Sequence, residues 1–287
     1  MTNVTGKTPT PVTESPGPER MPAPEMGLDG APALVFQPAV DLGTGRLLGF
    51  EALLRWHDST GGSIAPDALI PWAEANGHMT ALQAWVVTEA CTEAARWPSD
   101  LQLAVNCSVF QLRRGEAAIS AAAALEHSGL NPDRLTVEVT ETSVVDDAAV
   151  ADLHAMARLG IQLTVDDVWT DGGVLENMHP GVINTIKIHG SLVARLATPD
   201  SPSRAVVEAL ITLCRSLGIC TVAEAVETSE QVAVLCELGV DVAQGYFFSP
   251  PLSADDTYVL AAMNPLPVFA LRGPVPSGAP APASEPS

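Results

Sequence analysis

Polar and charged residues recur where short apolar runs leave little room for them. Glu51 lies inside Gly49-Phe50-Glu51-Ala52-Leu53-Leu54-Arg55-Trp56, and Asn106 follows Val105. Further on come Glu138-Val139-Thr140-Glu141, Val165-Asp166-Asp167, Ile186-Lys187-Ile188 and Ala223-Glu224-Ala225-Val226-Glu227. A buried carboxylate without a partner is too costly to persist. Its repetition across such runs points to one shared polyanionic pocket that needs cations. Glu51, Glu138, Asp166, Asp167 and Glu224 carry five negative charges, and Lys187 offsets one. Two divalent ions neutralise the remainder. All-oxygen donors suit Mg(II) or Mn(II) rather than soft-ligand metals. Two such ions about 3.5–4 Å apart are the usual device for attacking a phosphodiester with water.

These residues need elements that gather them. Strand-like runs are expected at Val35–Val40, Phe50–Trp56, Leu103–Ser108, Leu135–Thr140, Gln162–Val168, Thr185–Ile188, Cys220–Ala225 and Val242–Phe248. Helical periodicity falls between them, as in Val206, Ala209, Leu210, Leu213, Cys214 and Leu217. Gly129, Gly160, Gly218 and Gly239 supply stops. This alternation predicts an α/β fold, a TIM-like (β/α)8 barrel, with an open doubly wound sheet as the other arrangement. Only Asp41-Leu42-Gly43-Thr44-Gly45-Arg46 joins the first two strands. That is too short for a helical crossover, so the first strand should be antiparallel. In a barrel the polar residues then meet at the carboxyl ends of the strands, with Gln244 on the last.

The 287 residues are 47% hydrophobic, enough for a packed core. Residues 1–32 and 264–287 are rich in Pro, Ala, Gly and Thr, and are expected as disordered tails around a barrel domain at 33–263. A net charge of −20 argues against a nucleic-acid polymer or an anionic membrane surface as partner. Five cysteines without a C-x-x-C pair read as reduced thiols, and no export signal or membrane span is apparent. The expected location is cytoplasmic.

The Glu51-Ala52-Leu53 signature, with the clusters above and Gln244-Gly245-Tyr246, resembles the bacterial EAL domain. The resemblance runs from about Phe36 to about Leu252. It implies hydrolysis of the second messenger cyclic di-GMP to linear pGpG. It also implies that Glu51, Asn106, Glu138 and Asp166 hold one metal, and that Asp166 bridges to a second held by Asp167 and Glu224. Lys187 would contact the attacking water and a phosphate oxygen, and Gln244 would order water. Gln37 and Arg55 would bind the dinucleotide, while Glu141 and Glu227 support the metal-bearing loops. A homodimer is implied too, and the protein partner is left open. The mechanism implied is in-line attack of metal-activated water on phosphorus.

Two positions depart from the family pattern. Val168 and Trp169 follow Asp166-Asp167 where the family has Phe-Gly, and His189 stands where it has Asp. A slow phosphodiesterase is the reading these changes favour. A receptor that binds cyclic di-GMP without turnover, or a protein-interaction module, stay open beside it.

Overall fold

In a computed structural model of the chain, the structure describes residues 20–98, 100–141, 147–168, 181–198 and 201–263. Strands β1 (Ala31–Asp41) and β2 (Leu47–His57) form an antiparallel pair that places Gln37 opposite Glu51. Their connection is tight because Asp41 organises it. Its carboxylate accepts from the Thr44 backbone N–H at 2.6 Å and from the Thr44 hydroxyl at 2.8 Å. A two-residue strand, β3 (Ser63–Ile64), adds to β2. Then follow β4 (Gln102–Asn106), β5 (Leu135–Thr140), β6 (Gln162–Val168), β7 (Thr185–Ile188), β8 (Cys220–Ala223) and β9 (Val242–Gln244).

From β2 through β4 to β9 the neighbours are parallel, and β1 closes the ring by pairing antiparallel with both β2 and β9. The result is a closed eight-stranded barrel with its first strand reversed and β3 outside the ring. The open-sheet alternative is excluded. The outward faces of the strands pack on helices, with Leu103, Leu135, Leu163, Ile186 and Ala223 fully buried.

The helices are α1 (Pro66–Ala75), α2 (Met79–Ala95), α3 (Val109–Arg114), α4 (Ala117–Ser128), α5 (Asp147–Arg158), α6 (Gly190–Val193), α7 (Pro202–Leu217), α8 (Ser229–Leu238) and α9 (Ala254–Ala262). Helix α7 shows how sequence sets such a helix. Ser201 caps its start, Gly218 at φ 70° ends it, and Val207, Leu210, Ile211 and Cys214 bury one face. Helix α3 has no counterpart in the periodicity, because six residues are too few to show one.

Several expected boundaries move, among them β1, β2 and β4, which run Ala31–Asp41, Leu47–His57 and Gln102–Asn106. The tail expected at 1–32 is packed in its described part, so order begins before residue 33. Arg20 lies 3.2 Å from both Glu89 and Glu93, Met26 is 3% exposed, and the Asp29 carbonyl accepts from the Trp56 indole at 2.8 Å. Strand β8 stops at Ala223, and Ala225 adopts φ 49°. Strand β9 stops at Gln244 because Gly245 sits at φ 149°, where a Cβ would collide with the Val226 backbone. The remaining tail residues, 1–19 and 264–287, lie outside the described residues. Among the described residues, no helix is long and apolar enough to cross a membrane.

Candidate functional site at the carboxyl mouth of the barrel

The inward-facing polar residues form one layer across the barrel. Lys187 on β7 is its centre and is 1% exposed. Its Nζ lies 2.6 Å from Glu224 Oε1, 2.9 Å from Glu138 Oε2, 3.2 Å from Glu51 Oε2 and 3.4 Å from Asp166 Oδ2. An ammonium has three protons, and here four carboxylates compete for them. Glu51 is the most heavily partnered acid. Its Oε1 accepts from Asn106 Nδ2 at 2.7 Å, and its Oε2 accepts from Gln244 Nε2 at 2.7 Å as well as from Lys187. Gln244 also reaches Glu224 Oε1 at 3.3 Å.

Asp166 and Asp167 are adjacent in a strand, where side chains should point to opposite faces. The β6–β7 register slips between Val165 and Val168, and Asp167 takes φ 58°. That irregularity re-aims the chain as a bulge does. Ligand oxygens of Asp166, Asp167 and Glu224 consequently lie within 4.8 Å of one another, a group that could hold a metal ion. An Asp tolerates left-handed backbone better than most residues.

Above this layer opens a cleft of about 520 Å³, lined by Gln37, Glu51, Asp167, Glu224, Glu227 and Gln244 among others. Tyr246 stands at its edge, 58% exposed. Arg55 shares the inward face of β2 but does not line the cleft, and it donates to the Leu54 carbonyl at 2.8 Å. Glu141 is buried at the end of β5, beside residues 142–146 outside the described set. Glu227 is exposed, and its backbone N–H donates to Gln231 Oε1 at 2.7 Å, part of the capping box that starts α8. Trp169 and the loop to residue 180 lie outside the described residues, and Val168 is buried.

One supporting residue escaped the sequence, and a second was marked without its partner. Gln83 on α2 donates to the Asn106 carbonyl at 2.6 Å, fixing the strand end that presents the Asn106 amide. Nothing in a helical Gln announces that role. His189 lines the cleft, with Nε2 at 3.6 Å from Asp167 Oδ1. Its Nδ1 accepts from the Ser191 backbone N–H at 3.2 Å, capping α6. The sequence marked this position as altered but gave no partner for it.

The electrostatics follow from four acids around one lysine. Burial works against charge on Glu51, but Lys187 and the amides of Gln244 and Asn106 outweigh it and hold its carboxyl below the ordinary range. Burial, with neighbouring acids adding to it, pushes Glu138 well up and Asp166 up. Burial also pushes Glu224 up, to about 7, although Lys187 opposes it. Burial disfavours the Lys187 charge, yet Glu138, Glu51, Glu224 and Asp166 together hold its ammonium well above the usual range. The layer therefore carries more negative charge than its one internal cation can balance.

A pH dependence follows. Between the ordinary value of 4.5 and about 7, Glu224 keeps a proton in the folded chain that the unfolded chain has released. More bound protons in the folded state make stability fall as pH rises through that window. In a chelator we predict a higher melting temperature at pH 5.5 than at pH 8, with Glu224→Gln flattening the difference. Saturating Mn(II) should remove or invert the trend, because metal binding needs deprotonated ligands. A chelated protein that melts higher at pH 8 would contradict this.

Comparison with known proteins agrees with the barrel fold. The family model described as EAL domain matches residues 29–251. The chain belongs to the EAL-domain family. EAL relatives include the oxygen sensor protein DosP of Escherichia coli, 36% identical over 229 residues, covering 78% of this chain and 28% of DosP. Another is MucR of Pseudomonas aeruginosa, named a bifunctional diguanylate cyclase/cyclic di-GMP phosphodiesterase. It is 33% identical over 228 residues, covering 77% of this chain and 33% of MucR. This EAL chain thus spans about a quarter to a third of the length of these curated relatives. Among solved structures, the PaMucR phosphodiesterase in complex with c-di-GMP matches with a TM-score of 0.73 and 33% identity, covering 78% of this chain and 93% of that one. The EAL domain of Mycobacterium smegmatis DcpA matches with a TM-score of 0.67 and 29% identity, covering 81% and 98%.

Proposed function

We propose that this chain hydrolyses cyclic di-GMP to linear pGpG with two divalent cations, Mg(II) or Mn(II). The observation that carries the reading is the gathering of Asp166, Asp167 and Glu224 within 4.8 Å, above Glu51 and Glu138 on a shared lysine. The donor set fits hard cations. It is all oxygen, and its excess negative charge already raises the proton affinity of Glu138, Asp166 and Glu224.

In this reading Glu51, Asn106, Glu138 and Asp166 hold one cation, and Asp166, Asp167 and Glu224 hold the other. When bound, the cations supply an activated water and neutralise charge gathering at phosphorus. Lys187 would donate to the attacking water and a phosphate oxygen. Gln244, fixed between Glu51 and Glu224, orients water below the substrate. Gln37 lies in the cleft where a dinucleotide would pass. Arg55 reaches the same ligand by leaving the Leu54 carbonyl, and its planar fork suits phosphate or a guanine edge. The supports are Glu141 and Glu227. A homodimer is the assembly we assign, by family resemblance.

Val168 and His189, at positions where the resemblance expects Phe and Asp, make slow turnover our expectation. Altered outer partners commonly cost about 10–100-fold. Incubation with cyclic di-GMP and Mn(II) should yield pGpG, above a Glu51→Ala control. Tight binding of cyclic di-GMP without product, at high enzyme and long times, would instead establish the receptor reading that the altered run after Asp167 keeps open.

A further inference from the structure

Outside the barrel, where β4 meets α2, α3 and α4, lies a small cavity of about 20 Å³. Gln83, Asn106, Gln111 and Ser120 line it, among apolar neighbours such as Met156. Gln111 is 1% exposed, yet among the described residues neither end of its side-chain amide has a hydrogen-bond partner. The buried Ser120 hydroxyl has none either. Polar atoms removed from water are rarely left in that state. Three of them around one void point to something that fills it. A void of about 10–15 Å³ is enough for one water, so this one holds a single water and nothing larger.

The surrounding elements are pinned and do not close the gap themselves. Ser108 caps α3, its hydroxyl accepting from the Phe110 backbone N–H at 3.1 Å. Asp152 on α5 accepts from the Ala117 N–H at 3.0 Å and fixes the start of α4, one turn before Ser120. The Asn106 side chain points into the barrel, to Glu51 at 2.7 Å, so the cavity meets this residue from behind. Its carbonyl accepts from Gln83 and keeps a second lone pair. We propose that one buried water occupies this cavity and joins Gln111 and Ser120 to the strand end that presents Asn106. Buried waters make about three hydrogen bonds. The three unpartnered atoms and the Asn106 carbonyl offer four. Gln111 is then a positioning residue, acting on the site only through the water and the β4 backbone. Its consequence for metal binding rests on the reading of Asn106 as a ligand, whereas the water itself does not.

A crystal structure of the full chain should show one ordered water within hydrogen-bond reach of Gln111 and Ser120. Gln111→Leu, an apolar replacement of similar size, should expel it and still melt close to the parent. In a chelator, the side-chain amide resonances of Asn106 should nonetheless shift and broaden in that variant. A merely structural role would lower the melting temperature and leave those resonances in place. With Mn(II), the same variant should bind about tenfold more weakly, the scale on which outer partners act. Ser120→Ala removes one partner of the water and suits a helix, so it carries the comparison, with a smaller shift, if Gln111→Leu does not fold. The proposal is overturned by an ordered structure with no water at Gln111, or by Asn106 resonances that ignore both variants in the chelated chain. A parent that binds no Mn(II) would overturn the metal reading alone, because the chelated measurements do not need it.

Discussion

Glu51→Ala is expected to lower hydrolysis of cyclic di-GMP by about 10³-fold or more, the scale on which a central electrostatic contact to the transition state is lost. Three side chains meet on this carboxylate, Asn106 on one oxygen and Lys187 and Gln244 on the other. Deleting it removes a proposed metal ligand and strands an amide on either side. It also frees Lys187 to settle on Glu138 and Glu224, away from a phosphate. Glu51→Gln keeps the volume and separates charge from shape. Its amide can still accept from one neighbour but offers no anion, so it too should be nearly inactive while melting close to the parent. Rates of pGpG release and melting curves for the two variants check this. A Glu51→Ala protein that keeps a tenth of the parental rate would remove Glu51 from the chemistry.

Lys187→Met is expected to have the largest effect on stability. Breaking a buried ion pair by removing one partner costs about 3–5 kcal/mol, because the remaining charge is left uncompensated. Here four carboxylates share the one ammonium. In a domain of this size each kcal/mol moves the melting temperature by about 2–4 °C. In a chelator the variant should therefore melt on the order of 10 °C below the parent, or fail to accumulate. Protonation of Glu138 and Glu224, already favoured, should recover part of the loss below pH 6. Mn(II) should recover part of it too, by replacing the missing positive charge. Melting curves with and without Mn(II) test both statements, and an unchanged chelated melting temperature would show that Lys187 does not balance the layer.

Much of this arrangement is legible in the sequence for a simple reason. Strands β5, β6 and β7 are short apolar runs, so Glu138, Asp166 and Lys187 within them mark inward positions. The six-residue link after β1 forces the reversed first strand, because no helix fits there. What stayed hidden depends on backbone irregularity or on contacts far apart in sequence. The sequence brackets Asp166 and Asp167 but does not show the slip at φ 58° that turns both carboxylates toward Glu224. Gln83 is an ordinary helix residue until tertiary packing brings it to the Asn106 carbonyl. Residues 20–30 read as tail because their anchors, Arg20 and Met26, are isolated and make no periodic pattern.

Counting bound Mn(II) tests the central claim most directly. Calorimetry or Mn(II) paramagnetic resonance on the full chain at pH 8 should find two ions per chain. Asp166→Asn, which alters the acid proposed to bridge them, should weaken both. One ion or none, or two ions that Asp166→Asn leaves unaffected, would contradict a paired cation site at the carboxyl mouth of the barrel.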